Sequence, residues 1–218
     1  GVNFDNSRQK IFPDVSSWDV SKVTTMEGMF ENIPKFNQDI SSWDVGKVIT
    51  MKNMFKGCNI FNNGNTTGID KTLSNWNVSK VTDMKSMFEN CWKFNQDISK
   101  WKVNNVTTMK RMFYYCADFN KPLNTSFVTS FSAFPPYDAW VVSTVNNMES
   151  MFEKCITFDQ PLHDWNVSSV TTMSGMFSEC VVFNQPLNTS GNKWNVSSVS
   201  TMTSCLLYTS PSPRDKRQ

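Results

Sequence analysis

Apolar residues recur along this chain in a unit of about 25 residues. Seven tryptophans open matching segments, and three of the six spacings between them equal the minimum of 25 residues. With each tryptophan as position 1, the unit reads W-x-V-S-x-V-T-x-M-x-x-M-F-x-x-C-x-x-F-N-x-x-[IL]-x-x. All 13 methionines fall on position 9 or 12, so the pattern is a tandem repeat. The opening residues are Trp18, Trp43, Trp76, Trp101, Trp140, Trp165 and Trp194.

Two periods within the unit predict two elements. Positions 23, 1 and 3, such as Ile98, Trp101 and Val103, have the spacing of a short strand with inward apolar side chains. Positions 9, 12, 13 and 16 follow the i, i+3, i+4, i+7 spacing of one helical face, and the threonine at position 7 is placed as its N-cap. The sequence therefore predicts an α/β repeat with one short parallel strand and one short helix in each coil.

The repeats are expected to stack. One unit of this size cannot offset the entropy of ordering its own backbone, so neighbouring coils must bury each other. Tryptophan, methionine and phenylalanine should then form ladders along the stack. We predict a similar, inward-facing ladder for the asparagine at position 20, whose amide would bond the backbone of the adjacent coil, although an ordinary turn asparagine is the alternative.

The repeat pattern also sets the predicted boundaries. Residues 1–10 form a poorly defined N-terminal flank, and residues 11–204 form one solenoid of six full repeats plus a truncated seventh. In the seventh unit Cys205 and Leu206 stand where the pattern requires methionine and phenylalanine. The segment 205–218 resembles a translated sequencing adapter and is predicted to be a non-native tail, with a natural C-terminal cap as the alternative.

Charge and reactive residues exclude several function classes. The net charge is +2, which gives no electrostatic reason to expect a nucleic-acid partner. His163 is the only histidine and is expected to be a solvated surface residue, so we predict no enzyme, no cofactor and no metal site. Five of the six cysteines occupy position 16, which favours a ladder of free thiols over three disulfides.

The segments Trp76–Phe88 and Phe94–Trp101 carry a family resemblance. They resemble the BspA-type leucine-rich-repeat family, in the variant common in mycoplasma-type surface lipoproteins. The resemblance implies a right-handed, leucine-rich-repeat-like solenoid and a secreted or cell-surface protein that binds protein or glycan partners. It implies no catalytic residues, and membrane attachment only through an anchor outside this stretch. The chain departs from the family in its long insertions and in Ile33, which replaces the first cysteine.

Two groups of residues are candidates for partner binding. Position 2 of each coil should form an outward column on the sheet face, for which a merely solvated surface is the alternative. The insertion in the fourth unit concentrates aromatics that could anchor a partner, or could fold down over the flank of the stack. We expect a non-enzymatic adhesion or recognition module, with a structural spacer as the alternative. The candidates are Asp19, Asp44, Asn77, Lys102, Asn166 and Asn195 in the column, and Phe127, Phe131, Phe134 and Tyr137 in the insertion.

Overall fold

The repeats stack in register as successive coils, which we number one to seven by their opening tryptophans from Trp18 to Trp194. The computed structural model describes residues 13–65, 72–123, 140–187 and 194–206. Position 8 of each coil pairs in parallel with position 8 of the next through single-residue β-bridges. The bridge residues are Thr25, Thr50, Asp83, Thr108, Asn147, Thr172 and Thr201.

The predicted fold class is wrong. Over the described ranges the chain has no helix, and its β-structure consists of those isolated bridges. It is therefore not a right-handed α/β solenoid with one strand and one helix per coil. Consecutive tight turns replace both elements.

Alternating hydrogen bonds explain why no helix forms. In the third coil the N–H groups of Ser86, Phe88 and Asn90 donate to carbonyls of the fourth coil at 2.8, 3.0 and 2.8 Å. Between them, the N–H of Met87 donates to the carbonyl of Met84 at 3.2 Å, three residues back. An α-helix needs every amide to bond four residues back. Here every second amide is used between coils, so the chain turns without forming a helix.

Left-handed backbone at positions 11 and 15 produces these turns. In a type II turn the third of the four residues has a positive φ. Helices contain no such residue, because every helical residue has a negative φ. Position 11 shows φ between 54° and 67° in all seven coils, and position 15 shows φ between 56° and 75° in the first six. The residues are Gly28, Asn53, Ser86, Arg111, Ser150, Gly175 and Ser204 at position 11, and Asn32, Gly57, Asn90, Tyr115, Lys154 and Glu179 at position 15.

The predicted N-cap is also displaced. Position 8, not position 7, carries the side-chain oxygen that satisfies a free amide at the start of the turns. Asp83 Oδ1, for example, accepts from the N–H of Lys85 at 2.8 Å. The threonine at position 7 instead bonds between coils, as where Thr107 Oγ1 donates to the carbonyl of Thr82 at 3.1 Å.

Aromatic side chains stack through the interior as predicted. Phenylalanines at positions 13 and 19 pair within each coil, with centroids 3.8–4.4 Å apart in coils one to six. Equivalent position-13 rings in successive coils lie 5.6–5.9 Å apart and within 14° of parallel. The tryptophans Trp76 and Trp101 stack at 6.2 Å, as do Trp140 and Trp165. Buried aromatic columns therefore join the coils into one core.

The polar groups of the core bond to the preceding coil. The buried Trp101 donates its indole N–H to the carbonyl of Leu73 at 2.8 Å, and each tryptophan from Trp43 to Trp194 makes the equivalent bond. The thiol of Cys116 likewise lies 3.0 Å from the carbonyl of Phe88. These bonds satisfy buried donors that would otherwise destabilise the fold.

The hydrogen bonds of the asparagine ladder at position 20 are confirmed, but its predicted inward placement is wrong. Asn62 Oδ1 accepts from the backbone N–H of Asn95 at 3.0 Å, and Asn95 Oδ1 accepts from Asn120 at 3.1 Å. The same bond continues from Asn37 to Asn184. Its members are half-buried or exposed, so the ladder lines the edge of the stack and not the core.

The turn pattern extends to the end of the described residues. The N–H of Cys205 donates to the carbonyl of Met202 at 3.3 Å, and its own carbonyl accepts from Phe177 at 2.9 Å. Cys205 thus occupies position 12 in the same way as the methionines. The predicted tail otherwise lies outside the described residues from 207 onward, as does the N-terminal flank 1–10.

Candidate binding surface

The position-2 column lies on the surface, as predicted, but not on a sheet face, because position 2 forms no strand in the described coils. Of its six candidate residues five are exposed, and Asn195 is half-buried, as is Val141 in the fifth coil. The exposed members are Asp19, Asp44, Asn77, Lys102 and Asn166.

Most of these side chains have a local structural role that the sequence reasoning missed. In each of five coils the position-2 oxygen accepts a hydrogen bond from the N–H two residues on, an Asx turn that orders the backbone before the next turn. The hydrogen bonds from Ser21, first through its side chain and then through its N–H, lower the pKa of Asp19. Lys102 cannot accept such a bond. The repeated W-N-V-S and W-D-V-S segments therefore have a turn-forming explanation, and a binding role for this column stays a prediction.

The four insertion aromatics, Phe127, Phe131, Phe134 and Tyr137, lie outside the described residues. Their proposed anchoring role stays a prediction as well.

A different edge of the stack carries exposed apolar side chains. Eleven large hydrophobic residues are exposed among the described residues, and six of them lie at positions 15, 17 or 18 of coils two to six. Every one of these five coils contributes at least one. We call this set the apolar corner: Ile60, Trp92, Tyr115, Ile156, Val181 and Val182, between 39% and 52% exposed.

The turn geometry explains why the corner points outward. Cys91 at position 16 and Phe94 at position 19 are fully buried, whereas the two residues between them are exposed. Trp92 and Lys93 occupy those places in the third coil. The corner backbone is held by inter-coil bonds, such as that from Asp118 N–H to the Trp92 carbonyl at 3.0 Å. The apolar corner is therefore a set of exposed side chains on a fixed backbone.

Trp92 was detectable in the sequence. It is the only one of the eight tryptophans that does not stand at position 1. Its ring centroid lies 5.8 Å from that of Tyr115 at an interplanar angle of 49°. A tryptophan that breaks the phase of a repeat is not needed for stacking, which marks it as a surface feature.

A network of charges borders the corner at positions 11, 14 and 15. Glu89 is 7% exposed and lies between Lys56 at 3.6 Å and Arg111 at 3.3 Å. The Nε of Arg111 is buried and close enough for an ion pair, but it is not aligned for a hydrogen bond. The guanidinium of Arg111 stacks over the ring of Tyr114 at 4.0 Å, and Lys154 pairs with Glu179 at 3.6 Å. Five charges along this border are thus paired with one another: Lys56, Glu89, Arg111, Lys154 and Glu179.

The thiols are free, as predicted, and those at position 16 are expected to be unreactive. All six cysteines are unpaired, and the five at position 16 are buried. Burial raises the pKa of Cys58 and of Cys180 to about 12, and it also raises the pKa of the three thiols between them well above the ordinary value. A thiolate nucleophile is therefore strongly disfavoured at neutral pH in this column.

His163 is exposed, as predicted, and its Nε2 lies 3.5 Å from Asp164. In the part of the chain that the structure describes, no group of three or more histidine, cysteine or acidic residues is arranged to hold a metal ion. No helix within the same ranges is long and apolar enough to cross a membrane.

Stacked coils of one repeated unit define a tandem-repeat protein. The chain belongs to the family described as Mycoplasma protein of unknown function, DUF285, whose model matches three times in tandem, at residues 3–67, 64–134 and 125–211. The predicted resemblance to a mycoplasma-type repeat family is confirmed at that level. No curated protein and no solved structure matches the chain.

Proposed function

We propose that this chain is a non-enzymatic binding module of a cell-surface or secreted protein, and that it recognises protein or glycan partners through the apolar corner. The observation that carries the proposal is the continuity of the corner. Five consecutive coils each expose at least one large hydrophobic side chain at the same edge. Exposed apolar residues scattered singly need no explanation, whereas an aligned set of them marks an interaction site.

The composition of the corner supports the same proposal. Tryptophan, tyrosine and arginine are the residues that most often dominate binding energy at interfaces. Trp92 and Tyr115 lie in the corner, and Arg111 borders it. The coils beneath are tightly packed, so a partner would meet a preorganised surface and lose less entropy on binding.

The finer resemblance, to BspA-type surface proteins, supports a role in adhesion outside the cell. It does so through the repeated sequence alone, because the leucine-rich-repeat fold is excluded above. Attachment to a membrane would require an anchor outside the described residues.

A structural spacer is the second candidate. The unbroken phenylalanine columns of coils one to six favour it, because such a stack is stiff along its axis. A spacer would display other domains and would bind nothing through its own edge.

Binding to intact cells of neighbouring and host types separates the two. The full chain is labelled and its adsorption compared with that of Trp92→Ser and Ile156→Ser. Ile49→Ser is the matched control, because Ile49 is 51% exposed but lies at position 7, away from the corner. We expect each corner substitution to weaken binding roughly 10- to 30-fold and the control to change it less than about twofold. Absence of specific adsorption would favour the spacer, and equal losses in all three variants would reject the corner.

A further inference from the structure

Resting on that proposed function, we infer that the partner presents an amphipathic helix, which lies along the stack axis with its apolar face on the apolar corner. Three properties of the corner point to this occupant: its narrow shape, its spacing and its chemistry.

The corner has the shape of a strip. In each of coils two to six it is one or two exposed apolar side chains wide, and it continues over all five coils. A strip this narrow suits a single helix or strand of the partner, docked along the edge of the stack.

The spacing distinguishes a helix from a strand. Parallel β-bridges and inter-coil backbone hydrogen bonds, such as that from Asp118 to Trp92, set the separation of successive coils at about 4.7–4.9 Å. The centroids of successive position-13 rings, 5.6–5.9 Å apart, give its upper limit. A helix presents a side chain to one face about every 5.4 Å, so its mismatch over the four steps of the corner is at most about 3 Å. A strand presents one about every 6.6–6.8 Å, and its mismatch is about 3–8 Å. A helix therefore keeps one apolar anchor per coil closer to register than a strand does.

The chemistry favours a protein segment over a glycan. Four of the six side chains are aliphatic: Ile60, Ile156, Val181 and Val182. The two aromatic rings are tilted by 49°, so they do not form one flat platform for a sugar ring. The neighbouring polar side chains are engaged with each other, as in the ion pair of Lys93 and Asp118 at 3.0 Å.

Because the charges on both borders of the corner are paired, we expect the binding of a helix to depend only weakly on salt. Lys93 and Asp118 cancel on one side, while Glu89 on the other lies between Lys56 and Arg111. Little free charge is left to attract a strongly charged helix. The dissociation constant of a helix on this corner should change less than about threefold between roughly 0.05 and 0.5 M NaCl.

A displayed library of random 16-residue peptides tests the inference on the full chain, since about 15 residues of helix span the corner. Enriched peptides are synthesised and measured against Trp92→Ser, Ile156→Ser and the control Ile49→Ser, after thermal melting confirms that each variant folds. We expect apolar residues at i, i+3 or i+4, and i+7, helical circular dichroism gained on binding, and losses of roughly tenfold or more for the two corner variants alone.

Other outcomes overturn the inference in distinguishable ways. Enriched peptides with apolar residues at i and i+2 that depend on Trp92 would show a strand as the occupant and leave the proposed function standing. Trp92-dependent binding on a glycan array, with no Trp92-dependent peptide, would replace the helix by a sugar and also leave the proposed function standing. If neither peptides nor glycans depend on Trp92, both proposals fail.

Discussion

The contribution of a stacked tryptophan can be tested by comparing two copies of the same repeat position. Trp101 is fully buried, stacks on Trp76 at 6.2 Å and donates to the carbonyl of Leu73 at 2.8 Å. Trp18 is 46% exposed. We therefore compare Trp101→Ala with Trp18→Ala, two chemically identical substitutions at different depths in the stack.

The expected costs differ by a factor of about three. Replacing a fully buried aromatic by alanine removes roughly 3–5 kcal/mol, and the lost hydrogen bond of the Trp101 indole adds about 1 kcal/mol. The carbonyl of Leu73 still accepts a hydrogen bond from the N–H of Trp76 at 3.0 Å, so the substitution leaves no buried acceptor unsatisfied. Trp18 buries only about half of its side chain, and its truncation should cost roughly 1–2 kcal/mol.

Urea unfolding followed by far-UV circular dichroism measures both variants without relying on tryptophan fluorescence. With an m-value of about 2 kcal/mol/M, the midpoint should fall by roughly 2–3 M for Trp101→Ala and by less than about 1 M for Trp18→Ala. The Trp101 variant should also unfold in a broader or split transition, because each coil contacts only its neighbours. Equal shifts in the two variants would refute the view that the coils stabilise each other by stacking.

Thiol chemistry and backbone strain give two further tests. With an aromatic disulfide reagent at pH about 8, the less buried Cys205 should react in the native protein and Cys58 only after unfolding. Burial raises the pKa of Cys58 from 9.0 to about 12. The contribution of the protonated thiol to the free energy of unfolding is therefore complete below pH 9 and declines as pH rises from 9 towards 12. A Cys58→Ala variant whose stability falls as steeply with alkaline pH as that of the parent would contradict this. Gly57→Ala should cost roughly 1–3 kcal/mol, because Gly57 has φ +75° and an added Cβ would lie 2.8 Å from Asn32 Oδ1. Gly46→Ala, without a positive φ, is the control, and similar melting temperatures for the two alanine variants would rule out strain at Gly57.

The sequence predicts which side chains are buried far better than it predicts the backbone. Phase alone places the tryptophans, phenylalanines and position-16 cysteines in the interior, and it identifies the asparagine ladder. It fails on the helix because a series of tight turns gives the same i, i+3, i+4, i+7 spacing. The helix and the series of turns differ in the sign of φ at positions 11 and 15. The sequence of a single coil does not reveal that sign, because residues such as Arg111 and Tyr115 are not typical of left-handed backbone.

Comparison of the coils does contain part of the missing signal. Position 15 is Asn32, Gly57 and Asn90 in the first three coils, and asparagine and glycine are the residues that tolerate positive φ best. The apolar corner is less predictable, because its members shift between positions 15, 17 and 18 and no single column is apolar throughout. Only the turn geometry brings them to one edge.

The direction of the inter-coil hydrogen bonds has a consequence for arrays of any length. An α-helix aligns all its amides and accumulates about half an elementary charge at each end. In the third coil, four backbone amides donate towards the following coil and three towards the preceding one: Met84, Ser86, Phe88 and Asn90 against Thr82, Lys93 and Asn95. Side-chain donors of Trp76, Thr82, Cys91 and Gln96 also point towards the preceding coil. The opposed dipoles largely cancel. Adding coils therefore builds up no axial polarity, and repeat number can change without an electrostatic penalty at either terminus.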